Sequence, residues 1–530
     1  MCGIFGLVNV DPQQPVDPRL LRRSIDVMTY RGPDDSGIWA KGSAGFGHRR
    51  LAVLDLSPRA RQPMASSDGT CVIVHNGEIY NFKTLRRMLE GKGHRFRSAC
   101  DTEVILAMYQ EYGIDMLSHL RGMFAFGIWD APRRRLFLAR DRFGQKPLKY
   151  FLNAEFISFA SELKCFFCNS DIKPEPDEQA LYTYLTYQFV PSPDTGFKSI
   201  RKLPPAHYLL WEDGKHRIER YWKSDFRNKR QLPKEQWQEA LLAKLDESIR
   251  LRLASDVPVG AFLSGGVDSS AIVARMAAMV GGGLRTFSIG FEEDSHDETP
   301  YARRIARLFN TEHTQLIVRY NLYDVFPRLI WHYEEPFADS SALPTYHLSQ
   351  MTARNVTVAL SGDGGDELFG GYHRYKELAL VDRMDWIPLG IRTGIVKPAL
   401  RGGARVLHGY PRRVLALLSE MSDLSRIGRY TQMFAGFERS ELHSATTPEF
   451  RAASQREPSC IFETHYREAN ADDPLERILS VDQAVYLPDC LMHKVDVASM
   501  AHSLECRAPF LDHELAELTA SMPSSLISWA

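Results

Sequence analysis

The residues able to do chemistry fall into two constellations. The first opens at Cys2, between the initiator methionine and Gly3 in MCGIFG. Methionine is usually removed ahead of a small residue, which would leave Cys2 at the N-terminus beside an α-amino group of reference pKa about 7.7–8.0. Such an amine can accept the proton of its own thiol, so the nucleophile needs no histidine base. Downstream lie YRGPDDSG (Tyr30 to Gly37), GHRRLAVLD (Gly47 to Asp55), HNGEIYN (His75 to Asn81) and Asp101, each placing polar groups at a strand end or loop. Asn76 and the backbone N–H of Gly77 can form an oxyanion hole for a tetrahedral intermediate. Arg50 suits a substrate carboxylate through a two-pronged contact, and Asp101 suits an ammonium group. Together they describe a pocket for a free amino acid with an amide side chain.

The second constellation is AFLSGGVDSS (Ala261 to Ser270), after an apolar run and before a helix. Gly265 and Gly266 let backbone N–H groups approach an anion, while Ser264, Ser269 and Ser270 add donors. The helix start adds its positive dipole end. The Walker pattern is absent. Asp268 inside a phosphate-binding loop calls for a cation, and Mg2+ is the expected one. A further loop, LSGDGGDELFGGYHRY (Leu360 to Tyr375), gathers Asp363, Asp366 and Glu367 among five glycines. It can position metal, nucleotide or an attacking amine.

The elements that must hold these groups follow from the pattern of the chain. With 530 residues, two domains plus an extension are expected. Hydrophobic residues make up 44% and charged residues 25%, the balance of a folded globular protein. A formal net charge of -1 excludes any overall field favouring nucleic acid or an anionic membrane. No apolar stretch approaches the roughly 18 residues that span a bilayer. MCGIFGLVNV lacks a basic leader and reads as a buried strand rather than a signal peptide. Eight scattered cysteines form no disulfide framework and suit a reducing cytoplasm. Cys165 and Cys168 make one CxxC without a second ligand pair, so ordinary thiols are expected there rather than zinc.

Up to about residue 190, short apolar runs between Gly, Asn and Asp (Val72 to Val74, Met123 to Trp129, Leu136 to Ala139) predict antiparallel sheets. One helix is expected with Asp101 as its cap and Gly113 at its end. Residues 191–232, with PSPDTG and KLPPAH, read as a connector, placing the domain boundary near 210–235. Strands and helices then alternate: helix 235–254, strand 257–263, a helix through 271–280, strand 284–291, helix 298–309, and strands 313–318 and 356–360. That alternation predicts a parallel sheet covered on both faces. Residues 373–480 read as an Arg-rich helical insertion packed on this second domain.

The four N-terminal segments resemble the glutaminase domain of the class II, N-terminal-nucleophile amidotransferases. SGGVDSS paired with SGDGGDE, together with FSIGF, PFADSSALPTY and HKVDVASMAHSLECRAPFLD, resembles the synthetase domain of the asparagine synthetases. The resemblance implies an α+β, αββα-sandwich glutaminase domain over residues 1–210. It implies an α/β parallel-sheet domain of ATP-pyrophosphatase type over 235–530, with the helical insertion at about 373–480. By the same resemblance Cys2 is the nucleophile, Asn76 and Gly77 hold the oxyanion, and Arg50, Glu78 and Asp101 help hold glutamine. Leu263 and Ile289 would line the adenine nucleotide site, Ser361 and Gly362 would touch it, and Asp363 takes the acidic position linked to the aspartyl-adenylate. Glu505 and Arg507 are expected as structural supports.

The implied activity is that of a carbon–nitrogen ligase with glutamine as amido donor. Aspartate would become asparagine through β-aspartyl-AMP, with glutamate, AMP and pyrophosphate as products and an internal passage carrying ammonia. Expected partners are small molecules (glutamine, aspartate, ATP), with no nucleic acid or membrane, and a homodimer is expected from the family. Three features depart from its pattern. Many members carry Glu at the position of Asp363, and FADSSALP replaces an Arg-containing segment of some. Members also continue past Asp512 with a basic helical tail, whereas this chain ends at Ala530, so an impaired synthetase half is one expectation. The alternatives are an amidotransferase for another carboxylate, such as a cell-wall precursor or secondary metabolite, and a bare glutaminase or regulatory protein. The β-lactam synthetase branch tends to lack the nucleophilic cysteine.

Overall fold

The apolar opening run becomes strand β1 (Gly3–Asn9), buried along its whole length, as a strand covered on both faces must be. Eleven further strands follow in the first domain. They are β2 (Asp35–Lys41), β3 (Ala44–Arg50), β4 (Met64–Ala65), β5 (Cys71–Ile79), β6 (Gly122–Asp130), β7 (Arg135–Arg140), β8 (Lys149–Leu152), β9 (Phe156–Ala160), β10 (Ile200–Lys202), β11 (His207–Glu212) and β12 (Lys215–Arg220). This computed structural model describes residues 1–291, 297–318, 322–437 and 439–527.

Two six-stranded sheets result, ordered β10-β8-β9-β1-β3-β2 and β12-β11-β7-β6-β5-β4, with antiparallel pairing throughout. Their inner faces share one core, in which Ile4, Val8 and Phe46 of one sheet meet Val72, Val74 and Trp211 of the other. Helix Pro18–Asp26 covers the outer face of the first sheet through Leu21 and Ile25. Helices Phe82–Gly91 and Asp101–Tyr112 cover the second through Leu85, Leu89, Val104 and Ile105. The four layers are the αββα sandwich expected from the resemblance.

Two local expectations are corrected. Residues 191–232, read as a connector, hold β10, β11 and β12, which extend both sheets. The reading failed because β12 is KHRIER, mostly exposed and five-sixths charged or histidine. Such a strand survives at an edge, where its charges discourage further pairing, yet shows no apolar alternation. Asp101 is the first residue of its helix, not its cap: Cys100 takes the N-cap position. The Asp101 carboxylate instead accepts from the Ile79 N–H at 2.8 Å, tying the helix to the end of β5. Gly113, at φ 59°, ends the helix as expected.

The second domain is built on a five-stranded parallel sheet of β13 (Val259–Phe262), β14 (Arg285–Phe291), β15 (Glu312–Val318), β16 (Val358–Leu360) and β17 (Glu505–Arg507), ordered β15-β14-β13-β16-β17. Both glycine-rich loops leave the carboxyl ends of adjacent central strands β13 and β16, where open α/β sheets bind ligands. The three-residue β17 gave no strand signal, because it is short and two of its three residues are charged. Residues 373–480 are helical, and their core (Tyr375, Leu378, Tyr430, Phe462) also takes in Tyr187, Phe189 and Phe226, so the insertion packs on the link between domains as well. Buried Asp482 accepts from Tyr375, Tyr430 and, at 3.1 Å, Arg374. Among the described residues, no helix is long and apolar enough to cross a membrane.

The seam between domains carries buried charges. Arg121 donates to Asp512 at 2.9 and 3.1 Å, and Arg252 to the same carboxylate at 3.0 Å. Burial raises the Asp512 carboxyl, but Arg252 and Arg121 outweigh it and hold it down to about 2. Asp512→Asn leaves buried Arg252 without its anion, while Arg121 keeps Glu247 and Glu514, a loss of about 3–5 kcal/mol readable by urea unfolding at pH 7. A depressed carboxyl contributes stability above its unfolded pKa of about 3.9, lost as pH falls through the folded value. The parent should therefore lose stability between pH ~4 and ~2 more steeply than Asp512→Asn.

Candidate active site

Cys2 enters β1 at the inner edge of the sandwich, 8% exposed. Its N–H donates to Asn76 Oδ1 at 2.9 Å, and its Sγ lies 3.9 Å from the Leu51 carbonyl oxygen. Burial pushes the thiol up, partly offset by the positive chain terminus. Asn76 is fully buried on β5, and its Nδ2 has no hydrogen-bond partner. An unpaired buried donor costs about 1–3 kcal/mol, so this one is poised for an acceptor that a substrate brings. Gly77 follows at φ 147°, where a Cβ would overlap the Met123 carbonyl oxygen of β6, so only glycine allows this approach. His48 and His75 lie behind, Nε2 of His48 3.2 Å from the His75 carbonyl. Burial holds both down to about 3, leaving neither a base near neutral pH.

Arg50 donates to the carbonyls of Leu54 at 3.2 Å, Asp55 at 2.6 Å and Ser57 at 3.2 Å. It thereby fixes the loop whose Leu51 carbonyl faces the Cys2 sulfur. Glu78, Asp101 and Glu505 form a cluster of three buried carboxyl groups. Burial, then Glu505 and Asp101, raise the Glu78 carboxyl, and burial raises Asp101 to about 6. Arg507 answers only partly, 2.7 Å from Glu505 and 3.7 Å from Glu78. A bound ammonium group would relieve this concentration of buried negative charge. Glu505 meets the chain terminus itself, its carboxylate 2.8 Å from the Met1 amino nitrogen with both side chains fully buried.

In the second constellation, Ser264 Oγ and Ser269 Oγ are 2.9 Å apart, and Gly266 N–H donates to Ser264 Oγ at 3.1 Å. The loop thus curls over the start of helix Val267–Val280. Ser270 Oγ is buried without a partner. A Cβ at Gly365 would overlap the Asp268 carboxylate, so that glycine lets the acidic loop seat directly on the phosphate-type loop. Burial, then Asp366 and Asp363, raise Asp268 to about 6. Ser361 Oγ donates to Asp363 at 2.6 Å, and a Cβ at Gly362 would crowd the Ser269 nitrogen. Leu263 is buried at the end of β13, its N–H bonded to the Phe287 carbonyl at 2.8 Å, and Ile289 is partly buried on β14. Among the described residues, no three His, Cys, Asp or Glu side chains converge on a metal position. The raised Asp268 suits a cation completed by phosphate oxygens and water, the manner in which Mg2+ is usually held. Cys165 is buried near Met28 Sδ at 3.6 Å, and Cys168 Sγ faces the Arg23 carbonyl at 3.7 Å.

The two constellations meet. One small internal cavity is walled by Met1 and Lys146 on one side and by Ser361, Asp363 and Asp496 on the other. Lys146 Nζ contacts Met1 Sδ. Two groups had no role from sequence. Arg31 donates through Nε to the Cys2 carbonyl at 3.0 Å and through Nη1 to Asp496 at 2.8 Å, linking residues far apart in the chain. Lys494, 8% exposed, reaches Ser341 Oγ at 2.7 Å and Asp339 at 3.3 Å. A lysine in the apolar run HKVDVAS was its only signal.

A family model described as a glutamine amidotransferase domain matches residues 1–222, and one described as asparagine synthase matches residues 240–527. Asparagine synthetase [glutamine-hydrolyzing] 1 of Bacillus subtilis is 34% identical over 537 residues, covering 99% of this chain and 82% of the relative. A putative asparagine synthetase of Mycobacterium bovis is 32% identical with the same coverage. The amidase chry2 of Gibberella zeae is 28% identical, covering 99% of this chain and 83% of that one.

Removing a preorganised oxyanion donor typically costs about 10²–10³ in turnover. Asn76→Ala is expected to lower glutamate release from glutamine by about that factor. Its far-UV spectrum and melting temperature should stay near the parent's.

Proposed function

The chain belongs to the glutamine-hydrolysing asparagine synthetase family, and from that premise we propose that it makes asparagine from aspartate, using ATP and the amide nitrogen of glutamine. The observation that carries this reading is the shared cavity between residue 1 and Asp363. The residue that precedes Cys2 and the acidic loop thus share one wall of space.

Each step follows from groups already placed. With the first residue removed, the Cys2 amine takes the thiol proton and the sulfur attacks the glutamine carboxamide. Asn76 Nδ2 and the Gly77 N–H donate to the oxyanion, and the negative pocket of Glu78 and Asp101 favours the substrate ammonium. The C–N bond breaks, ammonia leaves, and water later cleaves the thioester to glutamate. At the carboxyl edge of the parallel sheet, the Ser264–Ser270 loop and its helix start receive the ATP phosphates. Mg2+ beside Asp268 would neutralise the phosphate charge. The acceptor carboxylate displaces pyrophosphate to give an acyl-adenylate. Ammonia then attacks the acyl carbon and AMP departs. Ammonia is mostly protonated to ammonium at neutral pH, and ammonium cannot attack, so transfer shielded from solvent would preserve the nucleophile.

A second acceptor is favoured by one finding: relatives spanning nearly the whole chain include proteins named as amidases. Pyrophosphate release measured with ATP, Mg2+ and glutamine distinguishes the readings. Release that requires aspartate supports the proposal, release that requires a different carboxylate supports the alternative, and glutamate production without any pyrophosphate overturns both. Cys2→Ala is expected to lose glutamine-driven synthesis by more than about 10³-fold while ammonia-driven synthesis stays within about twofold. Joint loss of both in a folded variant would refute the division between sites.

A further inference from the structure

Residues of the first domain and of the helical region line a cavity of about 410 Å³, within the usual size for small-molecule sites. One wall comes from the first domain and the segment leaving it, with Pro204, Pro205 and Trp222. The other comes from the helical region, with Ile461, Thr464 and Ala484. The proline rings, indole and aliphatic groups make most of its surface apolar. The charges on the lining are unbalanced: Arg142, Arg220 and Lys223 face a single carboxylate, Glu468.

Arg142 is the informative member. It is 6% exposed, and its Nε–H has no hydrogen-bond partner. Its Nη1 and Nη2 donate to the Leu120 and Leu117 carbonyls at 2.6 and 3.1 Å. Among the described residues, no carboxylate pairs with it. Glu468 is already engaged by Arg220 at 3.4 Å, and Lys223 Nζ bonds the Glu468 backbone carbonyl. The histidines of the lining add no charge at neutral pH, since burial lowers His207 and holds His465 near 4. Arg142 thus stands in the lining with only neutral partners, two carbonyls and the Tyr221 ring 5.6 Å away, and an anion in the void would add the charged partner it lacks.

We propose that this inter-domain cavity binds a small molecule with an apolar, ring-bearing body and one anionic group, the anion turned toward Arg142 and the body held between Pro205, Trp222 and Ile461. The occupant touches both domains at once. One wall residue, Gln483, accepts from Ser224 Oγ at 2.6 Å and donates through Nε2 to the Glu367 carbonyl of the acidic loop at 3.1 Å. Occupancy therefore bears on the loop that carries Asp363 and Asp366.

The probe is 8-anilinonaphthalene-1-sulfonate, titrated by fluorescence into the full chain, with the uncharged N-phenyl-1-naphthylamine as its partner. Saturable binding at one site per chain is expected. Thr464→Trp, on the open side of its helix, should weaken both dyes at least tenfold, and Thr464→Phe repeats the test with a smaller ring. Arg220→Glu should weaken only the sulfonate, at least fivefold. Absent saturable binding, or binding unchanged by either Thr464 variant in folded protein, overturns the site; equal effects of Arg220→Glu on both dyes overturn the anionic assignment. The link to the acidic loop rests on the synthetase reading and is read separately. Saturating dye should change ammonia-driven pyrophosphate release at least twofold in the parent and not in Gln483→Leu. An unchanged parent rate with intact dye binding overturns the link alone.

Discussion

A positive chain terminus buried between two domains needs an anion, and Glu505 is that anion. Much of the molecule can be understood as meeting this requirement. The carboxylate comes from β17, which exists only because β16 offers it a parallel partner. It is steadied by Arg507, whose Nη1 in turn donates to the carbonyls of Arg252 and Ala254 at 2.6 and 2.8 Å. Burial raises the Glu505 carboxyl, but the chain terminus and Arg507 outweigh it and leave it near 2. It therefore stays ionised whenever the protein is folded near neutral pH. Glu505 meets the amine of Met1, while the nitrogen of Cys2 next to it is held by Asn76 Oδ1.

The same electrostatic logic orders the rest of the interface. Arg31 joins the Cys2 carbonyl, Glu162 and Asp496 in one connected group, and Arg121, Arg252 and Asp512 form another. Buried ion pairs contribute modest net stability against an apolar replacement. Their effect here is geometric: a guanidinium with several fixed acceptors permits one docking arrangement and penalises the others. The apolar contact beside them, in which Met1, Leu51 and Tyr80 join Leu263 and Phe510 in one core, supplies the adhesion.

What could be seen in the chain before its fold was known divides along a physical line. Groups that act locally were legible. Asn76 and Gly77 announce a polar strand position followed by a tight approach, and the Ser264–Ser270 run announces a strand-to-helix loop with bare N–H groups. The parallel sheet was legible through its apolar strands, and the helical character of 373–480 through its periodicity. Groups that act by meeting a distant partner were not. Arg31 gains its meaning from Asp496, 465 positions away, and no local pattern encodes such a pairing. That Arg50 braces the Leu54–Ser57 loop was not legible, because its acceptors there are backbone carbonyls, which no residue type announces. Strands β10 and β12 were hidden because an edge position rewards charge where a central one rewards apolar alternation.

The position of β17 in the chain has a temporal consequence. The carboxylate that encloses the first residue is separated from it by 504 positions. At about 5–20 residues per second on the ribosome, roughly 25–100 s pass between the emergence of the two. Throughout that interval the sandwich can fold around its own core while its leading residue has no lid. A trimming peptidase thus has access to the nascent chain, and completion of the second domain ends it.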